Sequence, residues 1–514
     1  MSPNKIHCWV RAAVALSLSN LCYLLVWDAL FHDPFRDYLS VTPYGRSDFI
    51  AAILGVGLGA AVLYFIIGGL CLNRLWGVRC LAMLTIALVV CIPLNFVRRV
   101  TGLSYEFYSN LPIIVAAILL IGMILIFRVW FVAATFWLLA ILSPYACITL
   151  FSAAYHASFP SKEEPRRKID LAGGAQRQGP LHRVVWIVFD EWDQTATFDN
   201  RPKGLKLPNI DAFMSRSVVA IHALPPSGST MLSMPAMLTG HLVSAARTPS
   251  DSTLLLKYFG EDKWRDFRSC DNVISDLLKA DYTVEVLGWH HPYQRILPTS
   301  PNLEAHSWGQ PISQGFRRKS IMEGMLAQLE FIVYPQYGRI VSRDMYQELH
   351  ARALNAVGNP HTNLTFLHYG IPHLPGIYDP AERQLSPSLT TTNVGYFNNL
   401  SLVDRTLGEL VRSVEAAGLS ESTSFVITSD HWWRTSPWEK GEASWRIPLL
   451  IQLPGSAGTE VVDTRICTVS ISRIVSRLVR GELQTATAVA ALLKEGEFAA
   501  SIQYVDGAPE IGAR

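Results

Sequence analysis

The chain has 514 residues, half of them hydrophobic and 17% charged, against about 25% charged in an ordinary soluble protein. With a mean hydropathy of +0.22 it is too apolar to be soluble throughout, and its aromatic and aliphatic content excludes disorder over most of its length. The formal net charge of +2 gives no electrostatic reason to expect a nucleic-acid partner.

Only 14 of the 86 Lys, Arg, Asp and Glu residues fall within 1–156, so a membrane part precedes a water-soluble part. Five apolar runs, near 7–30, 48–72, 77–97, 111–127 and 129–153, reach or approach the ~20 residues that a helix needs to cross a hydrocarbon core. They predict a five-helix transmembrane domain over 1–156. The fourth run is short, and only Arg128 separates it from the fifth, which reads as a tight hairpin. Lys5 and Arg11 give the first run the look of a secretory signal, but its length and the four runs behind it favour an anchor. Gly55, Gly57 and Gly59 suit close helix packing. Loop Lys and Arg counts balance, so the positive-inside rule assigns no orientation. No span carries the ionisable chain of a pump. Residues 157–182, with Pro160, Pro165, Gly173 and Gly174 among charged residues, have linker composition.

Residues 183–514 are expected to form one domain. Short apolar runs (Val184 to Phe189, Thr283 to Leu287, Leu364 to Leu367, Ser424 to Thr428, Ile447 to Ile451) alternate with helical stretches that include 396–417 and 466–482. That order predicts an α/β fold with a mostly parallel sheet covered by helices on both faces. Polar residues just beyond strand carboxyl ends line the ligand crevice of such sheets. Asp190 and Glu191 follow the first run, and Asp430 and His431 follow the fourth. Converging, they would hold one divalent ion, with Zn2+ or Mn2+ suiting oxygen and imidazole donors; strand-end acids also serve as plain helix N-caps. A third element, Pro225 to Gly240, runs a Ser/Gly-rich turn into an apolar helix. A hydroxyl there sits near a helix N-terminus, which favours anions, and a bound metal would make it a nucleophile. Ordinary Ser/Thr capping is the alternative reading.

Together these elements resemble the sulfatase-like branch of the alkaline phosphatase superfamily, which includes sulfatases, lipid A phosphoethanolamine transferases and lipoteichoic acid synthases. Val184 to Asp190 is similar to the family's first strand and acidic ligand, and Leu207-Pro208-Asn209-Ile210-Asp211 to the signature that follows it. Thr230, ten residues before Gly240, stands at the nucleophile's place. Ile371-Pro372-His373-Leu374-Pro375 resembles the family's Pro-His-x-Pro element; Tyr396, Asn399 and Asp404 match its next helix, and Ser429-Asp430-His431 its second metal motif. The resemblance implies one divalent ion held by Asp190, Thr230, Asp430 and His431, with Glu191 a rival to Asp190. Thr230 is the implied nucleophile, with Ser229 and Ser233 as runners-up, and His373 a catalytic or substrate-binding group. Arg434 and Trp432 are further substrate-binding candidates; His368 ranks behind His373, and the pair His290-His291 reads as structural.

Departures narrow the class. No cysteine lies within 227–240, so formylglycine cannot form there from cysteine, and sulfate ester hydrolysis is disfavoured. Pro226 and Ala236 occupy the places of the cysteines that bracket the nucleophile in phosphoethanolamine transferases, and a later family His is missing. Cys270 and Cys467 allow at most one disulfide in this domain. The expected protein is a membrane-anchored, metal-dependent phosphotransferase or phosphodiesterase of the bacterial inner membrane, with its domain on the periplasmic or outer face. Its expected partners are membrane lipids, a phospholipid or lipid-linked phosphate donor and an envelope-glycan acceptor. Two alternatives stand beside it: a non-catalytic lipid-binding regulator of envelope synthesis, and a sulfate ester hydrolase.

Overall fold

The computed structural model describes residues 8–31, 45–72, 111–159, 182–309, 320–333, 337–386, 392–438 and 445–495, with a few isolated positions and two short strands near the C-terminus. The expected third span, 77–97, and most of the expected linker lie outside the described residues. Contacts group the chain into two compact units. The first comprises Met1–Asp33, Tyr44–Lys162 and Gly315–Tyr337; the second comprises Pro34–Pro43, Glu163–Gln314 and Gly338–Arg514.

The first unit is helical. Helices α1 (Cys8–Cys22) and α2 (Leu24–Leu30) meet at Tyr23 with a bend of 57°. Helix α3 (Arg46–Leu72) packs on them through Gly55 and Gly59: a side chain at Gly55 would strike Tyr23, and a Cβ at Gly59 would lie 2.5 Å from Ser19 Oγ. Gly57 meets nothing. Helix α4 (Leu111–Ile126) has 16 residues, and α5 (Arg128–Ile141) follows after Phe127. Helix α6 (Ser143–Ser158) continues α5 through Leu142, which keeps helical angles. Pro144 has no N–H for the Ala140 carbonyl, and the Ser143 hydroxyl donates to it instead at 2.8 Å. The expectation of five spans is corrected here. Two helices among the described residues, Arg46–Gly69 and Arg128–Ser158, are long and apolar enough to cross a membrane, or three if the bent pair counts as one. The fourth run falls short because its helix breaks at Phe127.

The second unit is built on an eight-stranded sheet of β1 (Arg183–Asp190), β2 (Val218–Ala220), β3 (Val284–Trp289), β4 (Leu303–Trp308), β5 (Leu364–Pro372), β6 (Thr423–Ser429), β7 (Leu449–Gln452) and β8 (Glu460–Val462). The order is β8-β2-β7-β6-β1-β5-β3-β4. Only the pairings of β7 with β6 and β2 are antiparallel within this sheet. Successive side chains of β1 point to opposite faces. Val184, Trp186 and Val188 enter one hydrophobic core, and Val185, Ile187 and Phe189 the other. Both faces are covered, as the apolar runs predict. The expected helix 396–417 is α12, numbered after α7 (Pro208–Met214), α8 (Thr230–Thr239), α9 (Val273–Lys279), α10 (Ile321–Val333) and α11 (Tyr337–Val357); it spans Thr392–Ala416. The expected helix 466–482 shortens to Ile471–Val479, its first residues taking a short strand and a 3-10 turn instead.

Candidate active site

Register brings the two acidic motifs together. Parallel strands β1 and β6 pair residue by residue from Arg183 with Thr423 to Phe189 with Ser429, so the next residues, Asp190 and Asp430, emerge at the same sheet edge. Beyond β1 the chain turns sharply: Glu191 has φ of 62°, a left-handed conformation that a non-glycine residue adopts at a cost. Three hydrogen bonds hold the turn. The Tyr396 hydroxyl donates to the Glu191 carbonyl at 2.7 Å, the Trp192 N–H donates to Ser429 Oγ at 2.8 Å, and the Glu191 N–H donates to Asp430 Oδ1 at 3.1 Å.

Thr230 is the first residue of α8, with Ser229 as its N-cap in extended conformation. The helix ends at Gly240, whose φ of 73° is the left-handed cap that glycine adopts without strain. The Ser233 hydroxyl donates to the Ser227 carbonyl at 2.8 Å, fixing the preceding turn. Thr230 Oγ1 donates to Asp430 Oδ2 at 2.7 Å and lies 3.3 Å from His431 Nε2. His431 Nε2 lies 3.4 Å from Asp430 Oδ2 and 3.5 Å from Asp190 Oδ1. The other ring nitrogen, Nδ1, donates to the Trp432 carbonyl at 2.9 Å, which fixes the ring with Nε2 toward the carboxylates.

The three ionisable groups are fully buried, and Asp190 Oδ1 has no hydrogen-bond partner. Burial, and then the neighbouring Asp430 and Glu191 carboxylates, hold the Asp190 carboxyl well above the usual range. Burial also pushes Asp430 upward, but the imidazoles of His431 and His368 and the Thr230 hydrogen bond outweigh it and leave that carboxyl low. A buried carboxylate oxygen without a partner is costly. Two carboxylates, an imidazole nitrogen and a hydroxyl converging within coordinating distance of one another are a donor set suited to a divalent cation.

Glu191 points elsewhere. Its buried carboxylate accepts from Arg434 Nε at 2.8 Å, and Arg434, with the His373 and His431 imidazoles, keeps it below its ordinary range against burial, the largest single influence. Arg434 Nη2 lies 3.4 Å from His373 Nε2, and the His373 N–H donates to the Asp190 carbonyl at 3.1 Å. Asn399 holds this loop: its amide donates to the His373 and Pro375 carbonyls, both at 3.0 Å, and its oxygen accepts from the Ile377 N–H at 2.9 Å. Asp404 acts at a distance, accepting from the Ile210 N–H and the Asn209 amide at the start of α7. Trp432 does not face this cluster: its ring is buried in the hydrophobic core, 5.8 Å from that of Trp445. Trp433 stacks on Tyr396 with centroids 3.8 Å apart. Cys270 and Cys467 are free buried thiols.

Sequence reasoning left His290 and His291 as structural, ranked His368 behind His373, and did not single out Tyr38. His291 Nε2 donates to the Thr230 carbonyl at 3.0 Å, and its Nδ1 lies 2.8 Å from the Tyr38 hydroxyl. His368 Nδ1 lies 3.0 Å from the Tyr293 hydroxyl. Burial keeps these imidazoles neutral, lowering His291 to about 4 and His368 to about 3, with His290 well below its ordinary value. His290 and His291 directly follow β3, so the strand-end rule that singled out Asp190 and Asp430 applies equally to them.

With this geometry in place, the comparisons with known proteins name the class. A sequence model of the Sulfatase family matches residues 182–478, and the chain belongs to that family. Its fold and its buried Asp-Asp-His group accord with a superfamily whose enzymes use a divalent metal. The chain is similar to an ulvan-active sulfatase of Formosa agariphila, 22% identical over 315 residues, covering 53% of this chain and 56% of that protein. The match thus spans a little over half of that relative's length. Among solved structures, the PsFucS1 sulfatase of Pseudoalteromonas sp. aligns with a TM-score of 0.43 and 17% identity, covering 60% of this chain and 69% of that one. The lipoteichoic acid synthase LtaP of Listeria monocytogenes aligns at 0.37 and 12%, covering 58% and 72%.

Proposed function

We propose that the protein is a membrane-anchored phosphotransferase or phosphodiesterase that acts on lipid-linked or envelope-glycan phosphate esters through a phospho-threonine. One observation carries the reading: the Thr230 hydroxyl, at a helix N-terminus, lies 2.7 Å from Asp430 within a buried cluster that includes Asp190 and His431. Asp190, Asp430, His431 and the Thr230 oxygen would hold a divalent ion, Zn2+ or Mn2+ by donor chemistry. When bound, such an ion lowers a hydroxyl's pKa and neutralises charge on phosphoryl oxygens.

In the first half-reaction Thr230 Oγ, its hydroxyl proton lost to solvent, attacks phosphorus, and the bond to the ester oxygen breaks. His373 gives a proton to the departing alcohol, and Arg434 beside it pairs with phosphoryl oxygens. In the second half-reaction an acceptor sugar hydroxyl or water attacks the phospho-threonine. Its proton goes to His373, and Thr230 Oγ departs from phosphorus and regains a proton from solvent. The apolar helices would keep the domain at the outer membrane face, close to lipid headgroups, which raises the effective substrate concentration. The relative's name points instead to sulfate esters. Thr230 at the nucleophile's place argues against that chemistry, because threonine supplies no formylglycine.

The test uses the purified full chain with Zn2+ or Mn2+ and bis(4-nitrophenyl) phosphate. Nitrophenolate release, a gain of one phosphoryl-ester mass mapped to Thr230, and loss of both in Thr230→Ala are expected. Turnover that survives Thr230→Ala, or a chain that binds neither metal, overturns the reading.

A further inference from the structure

A cavity of about 250 Å3 lies in the second unit beside the candidate active site. Trp308, Met345, Leu349 and Ile377 are among its walls, so its lining is mostly apolar. Trp289 and His373 also line it, their rings 5.7 Å apart. His373 belongs equally to the site, through its N–H bond to the Asp190 carbonyl and its place 3.4 Å from Arg434 Nη2. The cavity therefore shares His373 with the site. Its shape is built in: a Cβ at Gly370, another lining residue, would lie 2.8 Å from the Trp289 indole.

We infer that this cavity binds a single alkyl chain of the substrate, attached through the phosphate ester that Thr230 attacks. The inference rests on the phosphate-ester reading of the site. Volume limits the occupant, since ordinary ligand pockets run to roughly 300–1,000 Å3 and this one has room for one short apolar segment. The mostly apolar lining favours an alkyl segment over a sugar, which carries more hydroxyls than the polar groups lining the cavity can pair. Helix α11 supplies Met345 and Leu349 to the lining, so an apolar wall faces the occupant within the second unit itself.

The experiment measures binding of methyl-, hexyl- and phenylphosphonate to the full chain in nanodiscs, with Zn2+ or Mn2+ supplied, by calorimetry. Hexylphosphonate is expected to bind at least tenfold more tightly than methylphosphonate, since each buried methylene is worth roughly threefold or more. Met345→Trp, which fills the cavity, should abolish that gain and leave methylphosphonate affinity unchanged. Leu349→Phe serves as a second filling variant, and retained methylphosphonate binding shows that either variant is folded. Equal affinity for the two alkyl ligands, or a gain that persists in both variants, overturns the cavity assignment alone. Tighter binding of phenylphosphonate than hexylphosphonate overturns the choice of an alkyl chain. Failure of all three ligands to bind overturns the phosphate reading and this inference with it.

Discussion

The hydroxyl of Tyr38 lies 2.8 Å from Nδ1 of His291, whose Nε2 donates at 3.0 Å to the Thr230 carbonyl. Because that carbonyl only accepts, Nε2 carries the proton and Nδ1 is the acceptor for Tyr38. Arg295 Nη2 donates to the Tyr38 carbonyl at 2.7 Å, and Tyr38 itself is fully buried. A residue from the segment between α2 and α3 thus supports the turn that carries the expected nucleophile. Tyr38→Phe keeps the ring but strands a buried acceptor, and should cost about 1–3 kcal/mol of stability. Thermal unfolding of the full chain checks this; an unchanged melting temperature would refute it.

Asp190 is expected to trade stability for metal binding. Its buried, partnerless Oδ1 beside two other carboxylates destabilises the metal-free fold. Asp190→Asn should therefore melt at a higher temperature than the wild type in the presence of chelator, and lose the stabilisation that added Zn2+ or Mn2+ confers on the wild type. Calorimetric melting with and without metal distinguishes the two effects. A lower melting temperature under chelator would contradict the account.

The Asn399 amide bonds four backbone groups of the His373 loop. Asn399→Ala leaves those groups unpaired and should destabilise by about 1–3 kcal/mol. If His373 acts as proposed, turnover should fall further than metal affinity, because the metal-ligating side chains are untouched. Parallel measurement of metal binding and phosphodiester cleavage decides it; equal losses would assign Asn399 a purely structural part.

Glu285 on β3 lies beside Glu304 on β4 in register. Partial burial, and then Glu304, raise its carboxyl from 4.5 to about 7. The folded protein therefore holds a proton that the unfolded chain has lost between about pH 4.5 and 7. Its contribution is fully present below that window and is lost as pH rises through it. Glu285→Gln removes the dependence, and partial exposure keeps the effect small. The variant should melt about 1–2 °C above wild type at pH 8, on the usual scaling for a domain of this size, and no higher at pH 4.5. Melting curves at the two pH values test the sign.

The acidic ends of β1 and β6 were legible in the sequence because alternating strands and helices confine polar strand-end residues to one crevice. Asp190, Thr230, Asp430 and His431 do meet there. The choice between Asp190 and Glu191 was not legible. It depends on the turn at Glu191, which sends one carboxylate toward His431 and the other to Arg434, and such a turn is held by Tyr396 and Ser429 from distant elements. Strands β2, β4 and β8, toward the two margins of the sheet, escaped notice because β2 and β8 have only three residues each and β4, Leu303 to Trp308, mixes polar with apolar residues and shows no apolar run. Among the described residues fewer helices qualify as spans than hydropathy suggests, since it registers apolar length and not the breaks at Tyr23 and Phe127 that shorten a helix.

By itself the amino-acid order determined the division between apolar helices and an α/β domain, the class of fold, and which side chains had the chemistry to meet. Periodicity and residue type are local properties, read along the chain. Tertiary structure alone decided which of those side chains meet, that Trp432 enters the core, and that His291, itself held by Tyr38, supports the nucleophile's turn. Those outcomes depend on strand register and on packing between segments hundreds of residues apart, which no local pattern encodes.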